Sequence, residues 1–171
     1  MPKRKVILNL AVSLDGFIEG PNGEFDWCLG DQDYGMKAFM KSIDSIFMGR
    51  KSYEVAIKYE GKHPYPKITT YVFSNTLKEA YEGTRIVSGK LAEEVRKITG
   101  EKGKNIWLFG GASLVTGFLN EGLIDQLQLA VHPIILGGGK LLFQGIKDRI
   151  PFNLKAAKKY SSGLVQLFYT R

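Results

Sequence analysis

Cysteine, long apolar runs and internal repeats are scarce or missing in this chain of 171 residues. The single cysteine, Cys28, excludes an intrachain disulfide and leaves no Cys-x-x-Cys zinc pattern, so we expect no metal site. No stretch reaches the roughly 18 apolar residues of a membrane-spanning helix. Polar residues interrupt the apolar run after the first lysines, and no small-residue cleavage site follows. These absences predict one cytoplasmic domain, residues 1–171, that neither spans nor binds a membrane.

Acidic residues are outnumbered by basic ones, 17 to 24, which gives a net charge of +7. A nucleic-acid-binding protein concentrates its basic residues on one surface. Here they are scattered, and the densest cluster, residues 3–5, is only three residues long. The lysine-rich segment 155–160 predicts a solvated edge strand, where lysines discourage pairing between sheets. We therefore predict no nucleic-acid partner, and a basic surface suits a small phosphorylated ligand equally well.

Apolar runs of strand length alternate with segments of helical periodicity along the chain. Strands are predicted at residues 5–13, 45–49, 68–75, 84–89, 104–111, 125–136, 152–160 and 163–171, and helices at 34–43, 52–61, 90–100 and 112–122. Repeated strand–helix–strand units imply parallel strands joined by right-handed crossovers. The last two strands, joined by Ser161-Ser162-Gly163, predict a terminal antiparallel hairpin. The fold class is α/β with a mixed sheet, and the segments 14–27 and 137–140 are interpreted as loops.

Small and polar residues stand where four of these strands end, in the stretches SLDG, MGRKS, FSN and FGGAS. In open α/β sheets, ligands bind beyond the carboxyl ends of the strands. The second stretch places Gly49, Arg50, Lys51 and Ser52 at the start of a helix, where free amides and the helix dipole attract anions. The alternative is a capped helix with solvated cations, and these residues alone do not decide between the two.

The glycine pair Gly110-Gly111 lies in the same way between a buried strand and a helix, with Ser113 near the helix start. It either lets a ligand approach the backbone or makes a tight turn. No G-x-G-x-x-G pattern occurs, and the triple glycine before Lys140 lacks the spacing of a phosphate-binding P-loop. The Rossmann and P-loop nucleotide-binding signatures are therefore both excluded.

Taken together and in this order, AVSLDGFIEGPNGEFDW, MGRKSYE, FSN, FGGASLV and HPIILGGGKLLF resemble the dihydrofolate reductase superfamily. Within it, the resemblance is to the reductase domain of riboflavin biosynthesis and its small stand-alone relatives. It implies a three-layer fold with helices on both faces of a mostly parallel eight-stranded sheet. It also implies an NADPH-dependent reductase that forms a homodimer.

The resemblance implies a set of cofactor-binding residues. The Gly-Arg-x-Ser turn would hold the pyrophosphate and the 2′-phosphate, the next strand end would lie near the adenosine ribose, and the glycine pair would lie beside the cofactor. Two further positions would flank the nicotinamide. The turn is formed by Gly49, Arg50, Lys51 and Ser52, and the strand end by Ser74 and Asn75. The glycine pair and the residues after it are Gly110, Gly111, Ala112, Ser113 and Leu114. The two positions that would flank the nicotinamide are Ala11 and Ile18.

Reduction of a C=N bond requires a hydride on carbon and a proton on nitrogen. Folate-reducing members carry a buried carboxylate near the start of the first helix, and Asp33 is the carboxylate nearest to that position here; the alternative is that it caps the helix. In the riboflavin-type branch, Asp15 would lie near the substrate; its alternative role is to bond neighbouring amides in a turn. Asp33 and Asp15 are therefore the predicted catalytic residues.

Ser13 and Trp27 are the predicted substrate-binding residues. Trp27 either stacks on a flat heterocycle or closes its loop against the core. The FDW stretch stands where folate reductases have a proline-tryptophan loop, so the predicted substrate is a pteridine or a ribosylaminopyrimidine and not dihydrofolate specifically. Lys140, after the triple glycine, and His132, before Pro133, are further candidates for facing the substrate; the alternative for His132 is a strand-end histidine without a ligand.

Two other classes of function stay open beside the reductase. A nucleotide-binding protein without catalysis would bind NADPH and consume none. A nucleic-acid-binding protein would show a steep dependence of affinity on salt. We rank the reductase first, the non-catalytic binding protein second and the nucleic-acid-binding protein a distant third.

Overall fold

The computed structural model describes residues 3–171. Its strands are β1 (Val6–Val12), β2 (Phe17–Glu19), β3 (Ile43–Gly49), β4 (Thr69–Phe73), β5 (Thr84–Val87), β6 (Asn105–Gly110), β7 (Gln126–Val131), β8 (Lys140–Leu141), β9 (Asn153–Lys159) and β10 (Val165–Thr170). Its helices are α1 (Met36–Ser42), α2 (Arg50–Glu60), α3 (Leu91–Gly100) and α4 (Ala112–Asn120). Within the described residues, none of these helices is long and apolar enough to cross a membrane.

Eight strands form one sheet in the order β5-β4-β3-β6-β1-β7-β10-β9. The first six strands in this order, β5, β4, β3, β6, β1 and β7, run parallel to one another. The strand β10 is antiparallel to both of its neighbours, β7 and β9. This arrangement confirms the predicted mostly parallel sheet with a terminal antiparallel hairpin. The outer strand β9 is exposed along its whole length and carries three lysines, as expected for a solvated edge.

Helices cover both faces of the sheet, which gives the predicted three layers. On β1, Val6 and Leu8 pack into a core with α3 and α4, while Ile7 between them packs into a second core with α1 and α2. On β6, Leu108 and Trp107 divide between the two cores in the same way. Strands buried on both faces read as continuous apolar runs, because neither set of alternate residues meets water.

The segments predicted as loops 14–27 and 137–140 contain a second, two-stranded sheet, so the loop prediction is wrong for these residues. β2 pairs antiparallel with β8, and the Lys140 ammonium lies 2.9 Å from the Glu19 carboxylate. These strands have three and two residues, too few for any periodicity to show in the sequence. Gly139 permits this pairing, because a Cβ there would lie 2.0 Å from the Glu19 carbonyl oxygen.

Replacing Gly139 by alanine should therefore destabilise the fold through a backbone clash as well as through its positive φ of +125°. Gly137 is the matched control, since its φ is also positive, +73°, but no atom lies within 4 Å of an added Cβ. We expect Gly139→Ala to lower the free energy of unfolding by about 1–3 kcal/mol more than Gly137→Ala does. Urea denaturation measures both, and equal losses would contradict the close approach of β2 and β8.

Candidate functional site

The carboxyl ends of the parallel strands bring the predicted site residues to one edge of the sheet. The β3–β4 register pairs Gly49 with Phe73, so Arg50 and Ser74 follow side by side. On the other side of β3, Gly110 of β6 lies opposite Met48. The chain adds β4 and β5 outward from β3 and then returns to place β6 between β3 and β1. The edge is therefore a topological switch point, where open α/β sheets bind their ligands.

Two helices, α2 and α4, begin side by side at this edge without side-chain caps. Their N-cap residues are Gly49 and Gly111, and among residues 3–171 no side chain caps the first amides of either helix. Neither helix has an acidic residue in its first turn, whereas α3 carries Glu93 and Glu94 there. The first four amides of a helix need external acceptors, and its positive end attracts anions. Two such ends together form an anion-binding cradle.

The glycines of these two turns keep the cradle open. A Cβ on Gly111 would lie 3.1 Å from the Ser52 hydroxyl, and a Cβ on Gly49 would lie 3.7 Å from the Gly110 carbonyl oxygen. Gly110 has a φ of +120°, a backbone conformation that favours glycine, and the Gly110–Gly111 peptide is cis. A side chain on Gly111 would therefore crowd the start of α2.

The cationic and polar residues around the cradle point outward or bond locally. Arg50 and Lys51 are exposed, and Arg50 lies 3.4 Å from Glu54 one turn along α2. The Ser74 hydroxyl accepts hydrogen bonds from the amides of the two residues after Asn75, at 3.1 and 2.9 Å. Asn75 itself is exposed. The side chains of Arg50, Lys51 and Asn75 are thus free to reach a ligand bound at the edge.

The remaining predicted cofactor residues lie along the first turn of α4 and on β1 and β2. Ala112 is buried beneath the helix start, Ser113 is exposed, and Leu114 lies 3.8 Å from a Cβ built on Gly49. Ala11 is half-buried near the end of β1. Ile18, on β2, packs against the α3–α4 core. The structure brings the start of α4 next to the start of α2.

Asp33 does not lie in a buried pocket. It is exposed, and its carboxylate accepts a hydrogen bond of 3.0 Å from the Lys37 amide in the first turn of α1. Its backbone carbonyl accepts a second bond from the Met36 amide. These contacts agree with the helix-capping alternative, and the assignment of Asp33 as a proton donor stays a prediction.

Asp15 joins the loop after β1 to the loop after β7. Its carboxylate accepts hydrogen bonds from the Ser13 hydroxyl at 2.6 Å and from the Leu136 and Gly137 amides at 3.1 and 2.8 Å. The Ser13 hydroxyl above all, with the two amides, lowers the pKa of Asp15 from 3.8 to about 2. Ser13 is buried and its hydroxyl also accepts a bond from the Phe17 amide, so Ser13 and Asp15 both shape this turn.

Residues 20–35, which we call the cover loop, connect β2 to α1 and contact the last turn of α2, the residue after β7 and the terminal hairpin. Three edge-to-face aromatic contacts hold the loop in place: Phe25 on Tyr59 of α2, Trp27 on His132, and Tyr34 on Tyr160. A cleft of about 440 Å³ opens at the Phe25–Tyr59 contact. Sequence reasoning missed Tyr59 and Tyr160, because an aromatic residue on a helix or hairpin carries no local sign of what it contacts.

Comparison with known proteins now identifies the family. The family model described as RibD C-terminal domain matches residues 4–166. The chain belongs to the RibD C-terminal domain family. This result confirms the predicted superfamily and its riboflavin-type branch.

Individual relatives of this RibD-type domain span its whole length. The uncharacterized protein YyaP of Bacillus subtilis (strain 168) is 43% identical, over 99% of this chain and 96% of its own. The structure of a protein from Shewanella sp. PV-4 assigned to riboflavin biosynthesis is 30% identical, with a TM-score of 0.87 and 98% of each chain covered.

A more distant neighbour shows the wider fold of the RibD-type domain. The dihydrofolate reductase of Enterococcus faecalis, solved with NADP(H), is 16% identical and covers 98% of this chain and 96% of its own, with a TM-score of 0.67. At that identity the likeness shows the fold alone, a reductase-type fold of the dihydrofolate reductase kind. The predicted fold class is confirmed.

The hydrogen bonds to Asp15 should make its contribution to stability depend on pH. Because the folded-state pKa, about 2, lies below the ordinary 3.8, the carboxylate stabilises the fold above pH 3.8, and this contribution is lost as the pH falls through about 2. We expect Asp15→Asn to melt below the wild type at pH 7, with the difference shrinking toward pH 2. Thermal melts across this range measure it, and a difference that does not change with pH would contradict the assignment.

Proposed function

We propose that this chain is an NADPH-dependent reductase that transfers a hydride to a pteridine or ribosylaminopyrimidine-type heterocycle. One observation carries the proposal: two uncapped helix N-termini open side by side onto a strand-end edge of a RibD-type domain. The membership of this family supports an oxidoreductase over a nucleotide-binding protein without catalysis.

The cradle suits the pyrophosphate of a dinucleotide in both charge and shape. Amides at the starts of α2 and α4 would donate to phosphate oxygens, and the Ser52 hydroxyl would add a further donor. Gly49 and Gly111 leave the space that phosphate oxygens need for a close approach to the backbone. A carboxylate in either first turn would repel the phosphates, and both turns lack one.

Selectivity for the 2′-phosphate of NADPH is assigned to Arg50 and Lys51, with Ser74 and Asn75 beside them. These residues follow neighbouring strands at one edge, so their side chains surround the same space. Arginine can bind a phosphate through two parallel hydrogen bonds, and its weak, exposed pairing with Glu54 is readily exchanged for that contact.

Catalysis divides between the bound cofactor and the chain. NADPH, when bound, would supply the hydride. Ala11 and Ile18 would confine the nicotinamide end, and the cover loop would exclude water from the reacting atoms. Asp15 is held as a carboxylate by three donors, which suits a residue that positions the β1 and β7 loops better than one that releases a proton. The homodimer, the cytoplasmic location and the absence of a nucleic-acid partner stay predictions.

A thermal melt with NADPH, with NADH and with neither coenzyme, at matched ionic strength, tests the cofactor. A ligand at 100 times its dissociation constant stabilises the folded state by about 2.7 kcal/mol. We expect a larger shift with NADPH. If a shift occurs but no pteridine or ribosylaminopyrimidine causes NADPH oxidation, the function is that of a nucleotide-binding protein; no shift with either coenzyme would overturn the proposal.

Changing Arg50 or Lys51 to alanine should discriminate between the coenzymes. We expect the dissociation constant to rise roughly tenfold for NADPH and less than about twofold for NADH, since only NADPH carries the 2′-phosphate. Lys58→Ala, in the last turn of the same helix, is the matched control and should alter neither. Calorimetry measures the dissociation constants of the wild type and of each variant for both coenzymes. An equal loss of affinity for NADPH and NADH would remove Arg50 and Lys51 from the 2′-phosphate site.

Gly111→Ala should weaken the binding of NADPH and of NADH by the same factor, because both coenzymes contain the pyrophosphate. The added Cβ would crowd the Ser52 hydroxyl at 3.1 Å and occupy the cradle. Gly100→Ala, at the end of α3, is the control, since its φ lies outside the left-handed region and no atom lies within 4 Å of its Cβ position. Unchanged affinity for NADPH and NADH in Gly111→Ala would show that the dinucleotide does not lie over this turn.

A further inference from the structure

Two packed rings, Trp27 of the cover loop and His132 after β7, each carry a buried nitrogen without a hydrogen-bond partner in the described part of the chain. Trp27 and His132 pack edge to face, with ring centroids 5.3 Å apart and planes at 87°. Among the described residues, Trp27 Nε1 and His132 Nε2 are buried and make no hydrogen bond. His132 as a whole is only 3% exposed. Buried polar atoms are nearly always bonded, so a pair of unbonded ones indicates a place where a polar ligand or water binds.

The hydrogen-bonding character of the pair follows from the neighbours of His132. Its Nδ1 lies 2.9 Å from the Ala130 carbonyl oxygen, which can only accept, so Nδ1 carries the proton. In the neutral imidazole, Nε2 is then an acceptor. The indole Nε1–H of Trp27 can only donate. The contact between these two rings thus includes one unsatisfied donor and one unsatisfied acceptor.

The pair lies next to the predicted nicotinamide position. Ala11 of β1 pairs with Ala130 of β7, whose carbonyl oxygen holds His132. The His132 amide donates to the Val12 carbonyl at 2.8 Å, which places His132 at the end of β1. A heterocycle held by the two rings would therefore lie at the strand-end edge where a hydride is delivered.

We propose that Trp27 and His132 bind the lactam edge of a planar heterocycle, that is, a ring carbonyl next to a ring N–H. The carbonyl oxygen accepts from Trp27 Nε1–H, and the ring N–H donates to His132 Nε2. This inference rests on the proposed reductase function and assigns two residues that orient its heterocyclic substrate. It requires no buried carboxylate, in agreement with the exposed position of Asp33.

A ligand can reach the pair because the two rings belong to different parts of the fold. Trp27 is on the cover loop, and His132 follows β7 of the main sheet. The cover loop contains no helix or strand, and most of its residues are exposed. Movement of this loop away from the sheet separates the rings and exposes both nitrogens to an incoming heterocycle.

Calorimetry with lumazine and 1,3-dimethyllumazine, on the full chain saturated with NADP⁺, tests the assignment. Both probes are flat pteridinediones, but the second has no lactam N–H. We expect lumazine to bind about tenfold more tightly than its dimethyl analogue. In Trp27→Phe and in His132→Phe, which keep an aromatic ring and lose the nitrogen, the ratio of the two affinities should fall to about one. Tyr34→Phe, which removes the cover loop's hydrogen bond to Ser162, should keep the preference.

The indole N–H resonances of the wild type give a second readout that needs no variant. The chain has two tryptophans, and Trp107 Nε1 already donates to the Asn9 carbonyl at 2.8 Å, so it serves as the internal reference. We expect the Trp27 resonance to move with lumazine and not with its dimethyl analogue, while that of Trp107 stays.

Each other outcome overturns the lactam site. No binding of lumazine, equal binding of the two probes, or a preference that survives in both ring variants would show that the two nitrogens hold only water. Binding of NADP⁺ is measured first and separately. Its loss would count against the proposed reductase, whereas bound NADP⁺ without lactam preference would count against this inference alone.

Discussion

A parallel sheet forces the carboxyl ends of its strands, and the N-termini of the helices that follow, onto a single edge. In this chain α2 and α4 both start there on glycine, with no side chain to accept hydrogen bonds from their first amides. The donors are satisfied only by solvent or by a ligand. The proposed cofactor binding depends on this arrangement, because free amides and two positive helix ends in one place favour a phosphate group. This preference does not depend on the positions of the flanking cations.

The proposed substrate side is built differently, from side chains on a sheet face and from the cover loop. Alternation along β1 and β7 places Asn9 and Gln128 on the α1–α2 face, where the two amides bond at 3.3 Å. The terminal hairpin takes part as well, since Tyr34 of the cover loop packs on Tyr160 and its hydroxyl lies 2.8 Å from that of Ser162. The terminal antiparallel hairpin thus also anchors the cover loop, through Tyr160 and Ser162.

The carboxylates have a structural explanation that does not involve catalysis. Asp33 bonds the first turn of α1, and Asp15 bonds three donors in the turn that joins the β1 and β7 loops. The hydrogen bonds to Asp15 lower its pKa to about 2, so this carboxyl group is ionised near neutral pH and holds no proton to donate. Ser13, His132 and the indole nitrogen of Trp27 are buried hydrogen-bonding groups, and in the proposed site they would orient a ring.

Much of the fold could be predicted from the sequence, because buried strands and amphipathic helices leave periodic patterns. The glycines at the ends of β3 and β6 also predicted the two turns that the structure brings together at one edge of the sheet. The strands β2 and β8 could not be predicted, since their pairing depends on a contact between Gly139 and Glu19 that is remote in sequence. Nor could the pairing of Trp27 with His132, since each residue by itself is equally typical of a core. Neighbouring residues determine the local propensity for helix or strand. Contacts between distant segments, such as that of Trp27 with His132, form only when the sheet order and the cover loop bring those segments together.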